Sequence, residues 1–315
     1  MSNADTALLH PESSSIGYWP AEFAMTTLRS VGDDESAQLI DDLVAAEDNN
    51  LTAATPVASF ISFFPSEHGI WSGTATAFGF IKTGAATSDE PLRIDHAGNI
   101  EPETSLKGKQ IKVTLDRLRA ADYPGKGVHQ VLVEFSGKHQ VKDNPQQLRF
   151  AQTYPVEEAA GAGIIGYPMF LGLSVGGEGV AFAASTRNVE NNDDKQLLGM
   201  LDSDVMKSGL KLLKTAQPAI APLTDLATMV GKAFARRHEN ILVQNFFMGL
   251  DFEATPARAR LALGSYIAVQ LPANHQLNWS DWVYDQRNGR FQRADRPDVD
   301  IPYNYLVFSV SEYDE

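Results

Sequence analysis

The spacing of apolar residues changes along the chain, and this change constrains the fold more than any single motif. Apolar and polar residues alternate in 111–115 and 131–135, which is the period of half-buried strands. From 220 to 234 the apolar positions recur at helical spacing, and strand-like segments return between 243 and 310. Strands, then helices, then strands do not give the alternation of a doubly wound sheet. We therefore predict a mainly β protein, an antiparallel β-sandwich with a helical insertion at about 195–240 and a short N-terminal helix.

The chain has 315 residues, which is enough to bury a sizeable core. We predict an N-terminal arm with a short helix over 1–54, followed by a single β-sandwich domain over 55–315 that carries the insertion. Acidic residues at its start and one apolar face predict a helix at 34–47. Within the insertion, the pattern predicts helices at 204–214 and 220–237.

Aromatic and β-branched runs at 60–64 and 75–81 are separated by a Pro-Ser-Glu-His-Gly sequence. Such runs on both sides of a turn are typical of a hairpin. We therefore predict that these two segments pair with each other, and that residues 83–108 form a loop.

A glycine-rich stretch, 161–179, holds seven glycines and opens with the spacing G-x-G-x-x-G at Gly161. In a dinucleotide-binding loop a helix begins at the last of these glycines and holds the pyrophosphate. Here two glutamates precede the first glycine, and Pro168 follows soon after Gly166. The flanking alternation favours a tightly packed hairpin over 167–185, with no helix at Gly166 and no bound cofactor.

The net charge of -14 and the absence of cysteine narrow the classes of function. Binding a phosphate backbone takes clustered Lys and Arg, so we expect no nucleic-acid partner. Without cysteine there are no disulfides, thiolate metal ligands or cysteine nucleophiles. The chain shows no signal peptide and no apolar run long enough for a membrane span. We predict a cytoplasmic protein.

Acidic residues of the insertion are weak candidates for calcium binding. They do not fit an EF-hand, because a loop that starts at Asp202 places Lys207 where glycine is required. A solvated helix N-terminus explains them more simply. The calcium candidates are Asp193, Asp194, Asp202 and Asp204.

The sequence shows no spacing typical of an enzyme. Its seven histidines include no H-x-x-x-H pair, and no G-x-S-x-G nucleophile elbow is present. These observations favour a protein that is not an enzyme. A hydrolase remains an alternative if distant loops bring a histidine, a serine and a buried carboxylate together in one cleft.

Aromatic residues and arginines surround the dipeptide Asn288-Gly289, which is a strong signal for a two-residue hairpin turn because both residues tolerate positive φ. Exposed aromatics interleaved with arginines are typical of binding surfaces. In the alternative interpretation, the aromatics pack on both faces of a sheet edge and the arginines keep that edge soluble. The predicted partner-binding residues are Trp279, Trp282, Tyr284, Arg287, Arg290 and Phe291.

The leading hypothesis is a non-enzymatic, soluble binding or assembly module. It would contact a protein partner, or a second copy of itself, through this hairpin. A less favoured alternative is a membrane-active effector, in which the glycine-rich hairpin and the amphipathic helix at 220–237 meet lipid.

Overall fold

The computed structural model describes residues 14–46, 52–61, 69–82, 90–141, 144–189, 209–211, 221–235, 240–253, 258–273 and 275–314. Strands make up 47% of the structure and helices 20%, so the predicted mainly β class is confirmed.

The described α-helices are α1 (Ala21–Ser30), α2 (Asp34–Ala45), α3 (Val57–Ile61) and α4 (Ala221–Ala235). The first eight strands are β1 (Ala75–Lys82), β2 (Leu92–Arg93), β3 (Asp95–His96), β4 (Gln110–Ala120), β5 (Val128–Val141), β6 (Asn144–Glu157), β7 (Ala160–Gly161) and β8 (Tyr167–Ser174). The others are β9 (Gly179–Asn188), β10 (Leu210–Lys211), β11 (Ile241–Asp251), β12 (Ala259–Arg260), β13 (Gly264–Leu271), β14 (Trp282–Asp285), β15 (Arg290–Arg293) and β16 (Tyr305–Glu312).

The described strands form three sheets. The central sheet has the order β10-β8-β4-β16-β13-β1-β3, with β7 paired to β4. The back sheet has the order β12-β11-β9-β5-β6, and the small hairpin sheet has the order β15-β14-β2. Neighbouring strands are antiparallel except for β8 with β10 and β11 with β12. The predicted antiparallel sandwich corresponds to the central sheet packed against the back sheet.

The sheets stack as layers with a separate apolar core on each side of the central sheet. Between the central and back sheets, the ring of Phe308 lies 5.4 Å from that of Phe135 and 6.0 Å from that of Phe182. On the other side, Ile267 and other outer-face residues pack against the aromatics of the hairpin sheet. Helix α4 covers part of the back sheet, where its Ala227 is fully buried. The molecule is thus a stack of hairpin sheet, central sheet, back sheet and α4.

Strand β16 shows how one segment serves two cores. Leu306, Phe308 and Val310 face the back sheet, as their alternation predicts. Tyr305 and Val307 point the other way and are also buried, under the hairpin sheet. A strand covered on both faces reads as a continuous apolar run, and 305–308 is such a run.

The N-terminal helices share the main core. The predicted helix at 34–47 is confirmed as α2, whereas α1 was not predicted. Leu28 of α1 and Ile40 of α2 are fully buried in the same cluster as the sandwich strands. Asp33 caps α2, since its Oδ1 accepts a hydrogen bond from the Ser36 N–H over 3.1 Å.

A buried polar network ties the layers together around Asn304 and Gln270. Asn304 is fully buried; its Oδ1 accepts from the N–H groups of Ala121 and Asp122, and its Nδ2 donates to Gln270. Nε2 of Gln270 donates to the main-chain oxygens of Trp71, Gly73 and Val243. Because burial without partners is costly, this network fixes the position of the 121–122 turn.

One predicted strand near the N-terminus is wrong, and so is the predicted pairing of 60–64 with 75–81. Residues 57–61 form α3 rather than the start of a strand at 60–64, and 62–68 lie outside the described residues. Strand β1 confirms the other predicted segment, but it pairs with β13 and β3. The predicted loop at 83–108 contains β2 and β3. Aromatic and β-branched content does not by itself separate a buried helical turn from a strand.

The hairpin predicted at 167–185 is also wrong, although both strands exist and no helix begins at Gly166. Strand β8 pairs with β4 in the central sheet, whereas β9 pairs with β5 and β11 in the back sheet. The chain at 175–178 therefore passes from one sheet to the other. Pairing with distant strands determines this arrangement. The alternation of apolar and polar residues is the same whether β8 and β9 pair with each other or lie in different sheets.

In the insertion, α4 confirms most of the helix predicted at 220–237. The helix predicted at 204–214 is wrong at Leu210–Lys211, which form the short parallel strand β10 on β8. The rest of that segment lies outside the described residues.

Gly179 is required by backbone packing, which gives a direct test of the sheet-to-sheet connection. Its φ is 118°, and a Cβ there would overlap the main-chain oxygen of Leu250. Gly179→Ala is expected to lower the free energy of unfolding by at least about 2 kcal/mol. Gly177→Ala is the matched control, since nothing lies within 4 Å of its Cβ position. Urea denaturation measures both, and equal effects would contradict the packing at Gly179.

Candidate functional site

The hairpin predicted around Asn288-Gly289 is confirmed, but its two-residue turn is wrong, because Asn288 does not adopt the positive φ that such a turn requires. Strands β14 and β15 pair from Trp282 with Arg293 to Asp285 with Arg290, which leaves a four-residue loop at 286–289. Gly289 has a φ of 61°, a conformation that glycine adopts without strain. The Asp285 carboxylate closes the loop, because its Oδ1 accepts from the Arg287 N–H over 2.9 Å.

The six predicted partner-binding residues divide into two groups. Trp279, Trp282 and Phe291 are buried, with 5%, 7% and 2% of their surface exposed, and they pack on the outer face of the central sheet. Tyr284 is half-buried, while Arg287 and Arg290 are exposed. The three buried aromatics hold the hairpin sheet in place, so most of the exposed surface comes from the other three residues.

A groove of about 660 Å³ opens between this hairpin and the central sheet. We call it the hairpin groove. Its lining includes Tyr284, Arg287 and Phe291 from the predicted partner-binding residues. The remaining lining residues were not predicted from the sequence. The lining includes Lys82, Asp116, Arg117, Ile165, Gly166, Ser265, Tyr284, Arg287, Gly289, Phe291 and Ser309.

The groove lies where the outer face of the central sheet changes from apolar to polar. Under the hairpin sheet this face presents Ile267 and Val307, but further along it presents Ser265 and Ser309. The two serines are cross-strand partners, and their hydroxyls are 2.7 Å apart. The hairpin sheet covers the apolar part, and the serine part stays open as the floor of the groove.

A β-bulge turns two charged neighbours into the same groove. On β4 the core-facing residues run 111, 113, 115 and then 118 and 120, so the alternation skips one residue. The register against β16 shifts at this point: Leu115 pairs with Phe308 and Arg117 with Val307, which leaves Asp116 unpaired. Without the bulge, Asp116 and Arg117 would lie on opposite faces. Bulges often re-aim side chains in this way beside functional sites.

Asp116 is held by hydrogen bonds on the floor of the groove. Its Oδ1 accepts from the Thr114 hydroxyl over 2.8 Å, its Oδ2 accepts from the Ser309 hydroxyl, and the Gly166 N–H also donates to it. Burial raises the pKa of Asp116, and these bonds together with the charge of Lys112 work in the opposite direction. The carboxylate thereby fixes the 165–166 tip of the chain at the edge of the groove.

The rim of the groove combines an exposed aliphatic side chain with cations. Ile165 is 94% exposed, and it lines the groove beside Gly166. Lys82 and Arg287 are exposed at the rim, while Arg117 is half-buried. This mixture of a large apolar side chain, tyrosine and arginine is typical of residues that anchor binding partners.

A second concavity, the acidic cleft, has a volume of about 470 Å³ and lies where α2 meets the 122–126 turn. Its charged lining residues are Asp33, Glu35, Asp122, Lys126 and Glu158. Asp33 joins the two sides, since its Oδ2 accepts from the Gly125 N–H over 3.0 Å.

Asp122 is the most perturbed carboxyl group of this cleft. Burial raises its pKa from 3.8 to about 6, and the nearby carboxylates of Asp33 and Glu158 act in the same direction. A hydrogen bond from the Ile70 N–H, 2.8 Å from its Oδ2, opposes the rise in pKa. The ionised form of Asp122 is therefore costly at neutral pH.

Neither concavity shows a metal site or a catalytic triad. In the part of the chain that the structure describes, no three His, Asp or Glu side chains are arranged to hold a metal ion. The calcium candidates Asp193, Asp194, Asp202 and Asp204 lie outside the described residues. His129 is buried, which lowers its pKa, and its Nδ1 contacts Asn188 over 3.2 Å rather than a serine.

Comparisons with known proteins identify no relative. No protein-family model matches the chain, and neither the curated proteins nor the solved structures contain a significant match. Among the described residues, no helix is both long enough and apolar enough to cross a membrane.

The local sequence held one signal for the groove that was missed. The apolar positions of β4 change from odd-numbered to even-numbered residues between Leu115 and Leu118, which indicates a β-bulge. The acidic cleft had no such signal, because its residues come from segments about 90 and 125 positions apart that only the fold brings together.

The raised pKa of Asp122 predicts a pH-dependent gain in stability for Asp122→Asn. The folded protein holds the proton more tightly than the unfolded chain, so wild-type stability falls as the pH rises through about 4 to 6. Asparagine carries no charge and avoids this loss. The variant should therefore gain about 2 kcal/mol above about pH 7 and little at about pH 4.5.

Urea denaturation across this pH range measures the difference. Asp298→Asn removes an exposed carboxylate and serves as the control for the general effect of net charge. A gain for Asp122→Asn that does not grow with pH would show that Asp122 carries no buried charge.

Proposed function

We propose that this protein is a non-enzymatic, cytoplasmic binding module that takes a segment of a protein partner into the hairpin groove. The observation that carries the proposal is the groove itself, an open space of about 660 Å³ between the hairpin and the central sheet. The cysteine-free composition supports a reducing compartment.

The chemistry of the lining supports a polypeptide as the occupant. Tyr284 offers an aromatic surface with few rotatable bonds, and Arg287 offers several hydrogen-bond donors. Ile165 gives an exposed apolar contact at the rim. An extended peptide can satisfy all three kinds of contact at once, with successive side chains pointing in different directions.

The buried aromatics strengthen the proposal by making the site rigid. Trp279 and Trp282 anchor the hairpin sheet on the central sheet, and the ring of Phe291 lies 5.2 Å from that of Tyr305. A partner that enters the groove therefore meets a preorganised wall, and little ordering entropy is lost on binding.

The other hypotheses lack comparable support. The membrane-active alternative relies on a glycine-rich hairpin, but the strands on either side of this segment belong to different sheets. For the hydrolase alternative, His96 contacts the Gly98 N–H and His129 contacts Asn188, and neither of these two bonds is to a serine. Self-association of two copies through the groove is the alternative to a separate protein partner. Sedimentation at increasing protein concentration measures whether the protein forms dimers.

Selection of peptides from a random display library on the immobilised protein tests the proposal. We expect enriched peptides whose affinity falls at least about 10-fold with Arg287→Ala, because a groove-lining cation is removed. Arg290→Ala is the matched control. Arg290 is on the same hairpin but pairs with Asp300, 3.2 Å from its Nε, and it does not line the groove.

Two results would overturn the proposal. One is the absence of any enriched peptide under conditions in which the protein is folded. The other is a set of peptides that bind wild type and Arg287→Ala equally, because such peptides bind elsewhere on the molecule.

A further inference from the structure

Arg117 is a half-buried cation without an ion pair to any residue that the structure describes. Most other arginines of this region are paired: Arg119 and Arg290 with Asp300, and Arg293 with Asp295. A partly desolvated guanidinium is stabilised by an anion, and the groove is the open side from which one can approach.

The surroundings hold this guanidinium in a fixed position. It donates a hydrogen bond to the hydroxyl of Tyr305. It also lies directly under the hairpin loop, where a Cβ at Gly289 would overlap its Nη2 atom. A pinned arginine loses little rotamer entropy when it binds, and its planar set of donors matches the oxygens of a carboxylate or a phosphate.

Among the described residues, the nearby carboxylate of Asp116 forms no ion pair with Arg117. The oxygens of Asp116 already accept from Thr114, Ser309 and the Gly166 N–H. The hydroxyls of Ser265 and Ser309 make the floor beside Arg117 polar without adding charge.

We infer that the hairpin groove is an anion site, in which Arg117 binds an oxyanion group carried by the ligand, either a carboxylate or a phosphate. Lys82 and Arg287 at the rim add positive potential around it. The inference rests on the proposed function for the identity of the ligand as a protein segment. The occupant of the groove is then a partner segment that carries an acidic or a phosphorylated side chain.

The test uses the full-length protein and the Nε–H resonance of Arg117, which is assigned by its loss in Arg117→Gln. Inorganic phosphate and acetate are titrated separately against chloride at matched ionic strength. We expect a saturable shift of this resonance with phosphate, acetate or both, and none with chloride. A response to phosphate alone identifies a phosphorylated side chain as the ligand group, whereas a response to acetate identifies a carboxylate.

Variants link the response to the groove. Saturable binding of the anion, measured by calorimetry or by the shifts of nearby amides, should weaken at least about 10-fold in Arg117→Gln. Arg93→Gln removes the same charge from an exposed position on β2, the strand paired with β14, and should leave binding unchanged. Thermal unfolding of both variants confirms that they are folded.

An identical response to all three anions, or one that survives Arg117→Gln, would overturn the inference. Its failure is distinguishable from failure of the proposed function. Selected peptides that need Arg287 but bind equally to Arg117→Gln would leave the binding module standing without the anion site. Saturable phosphate or acetate binding with no selected peptide would leave the anion site without a protein partner.

Discussion

The central sheet has to bury both of its faces, and most other features follow from this constraint. Its inner face meets the back sheet, and its outer face meets the aromatics of the hairpin sheet. Burial of apolar surface is the main stabilising term in folding, so each strand in the middle of this sheet needs apolar residues at nearly every position. Residues 305–308 meet this need, and Trp282 and Phe291 supply the cover on the outer side.

The hairpin groove is the place where this requirement is not met. At Ser265 and Ser309 the outer face turns polar, and the bulge at Asp116 adds two charged side chains to it. A sheet optimised only for stability would continue the apolar face and extend its cover. Positions that break local rules tend to be functional, which is why the groove rather than the deeper aromatic cluster carries the proposed function.

The sequence predicted what local periodicity controls, and it missed what long-range pairing controls. Alternation located β4, β5 and β16, and helical spacing located α2 and α4. It could not show that β8 and β9 belong to different sheets, because the pattern of a strand is the same whichever partner it meets. For the hairpin, the residue types located the two strands β14 and β15 and the turn between them. However, the pattern could not separate Trp282, which anchors the hairpin, from Arg287, which lines the groove, because that depends on the face of the sheet beneath them.

The central claim is that a ligand enters the hairpin groove and meets Arg117 on the polar outer face of the central sheet. A map of backbone amide chemical shifts, recorded with and without the tightest selected peptide, tests it most directly. We expect the largest changes at Arg117, Ser265, Ser309 and the 286–289 loop, with the back sheet unchanged. Changes confined to the acidic cleft around Asp122, or to the exposed face of the back sheet, would contradict the claim.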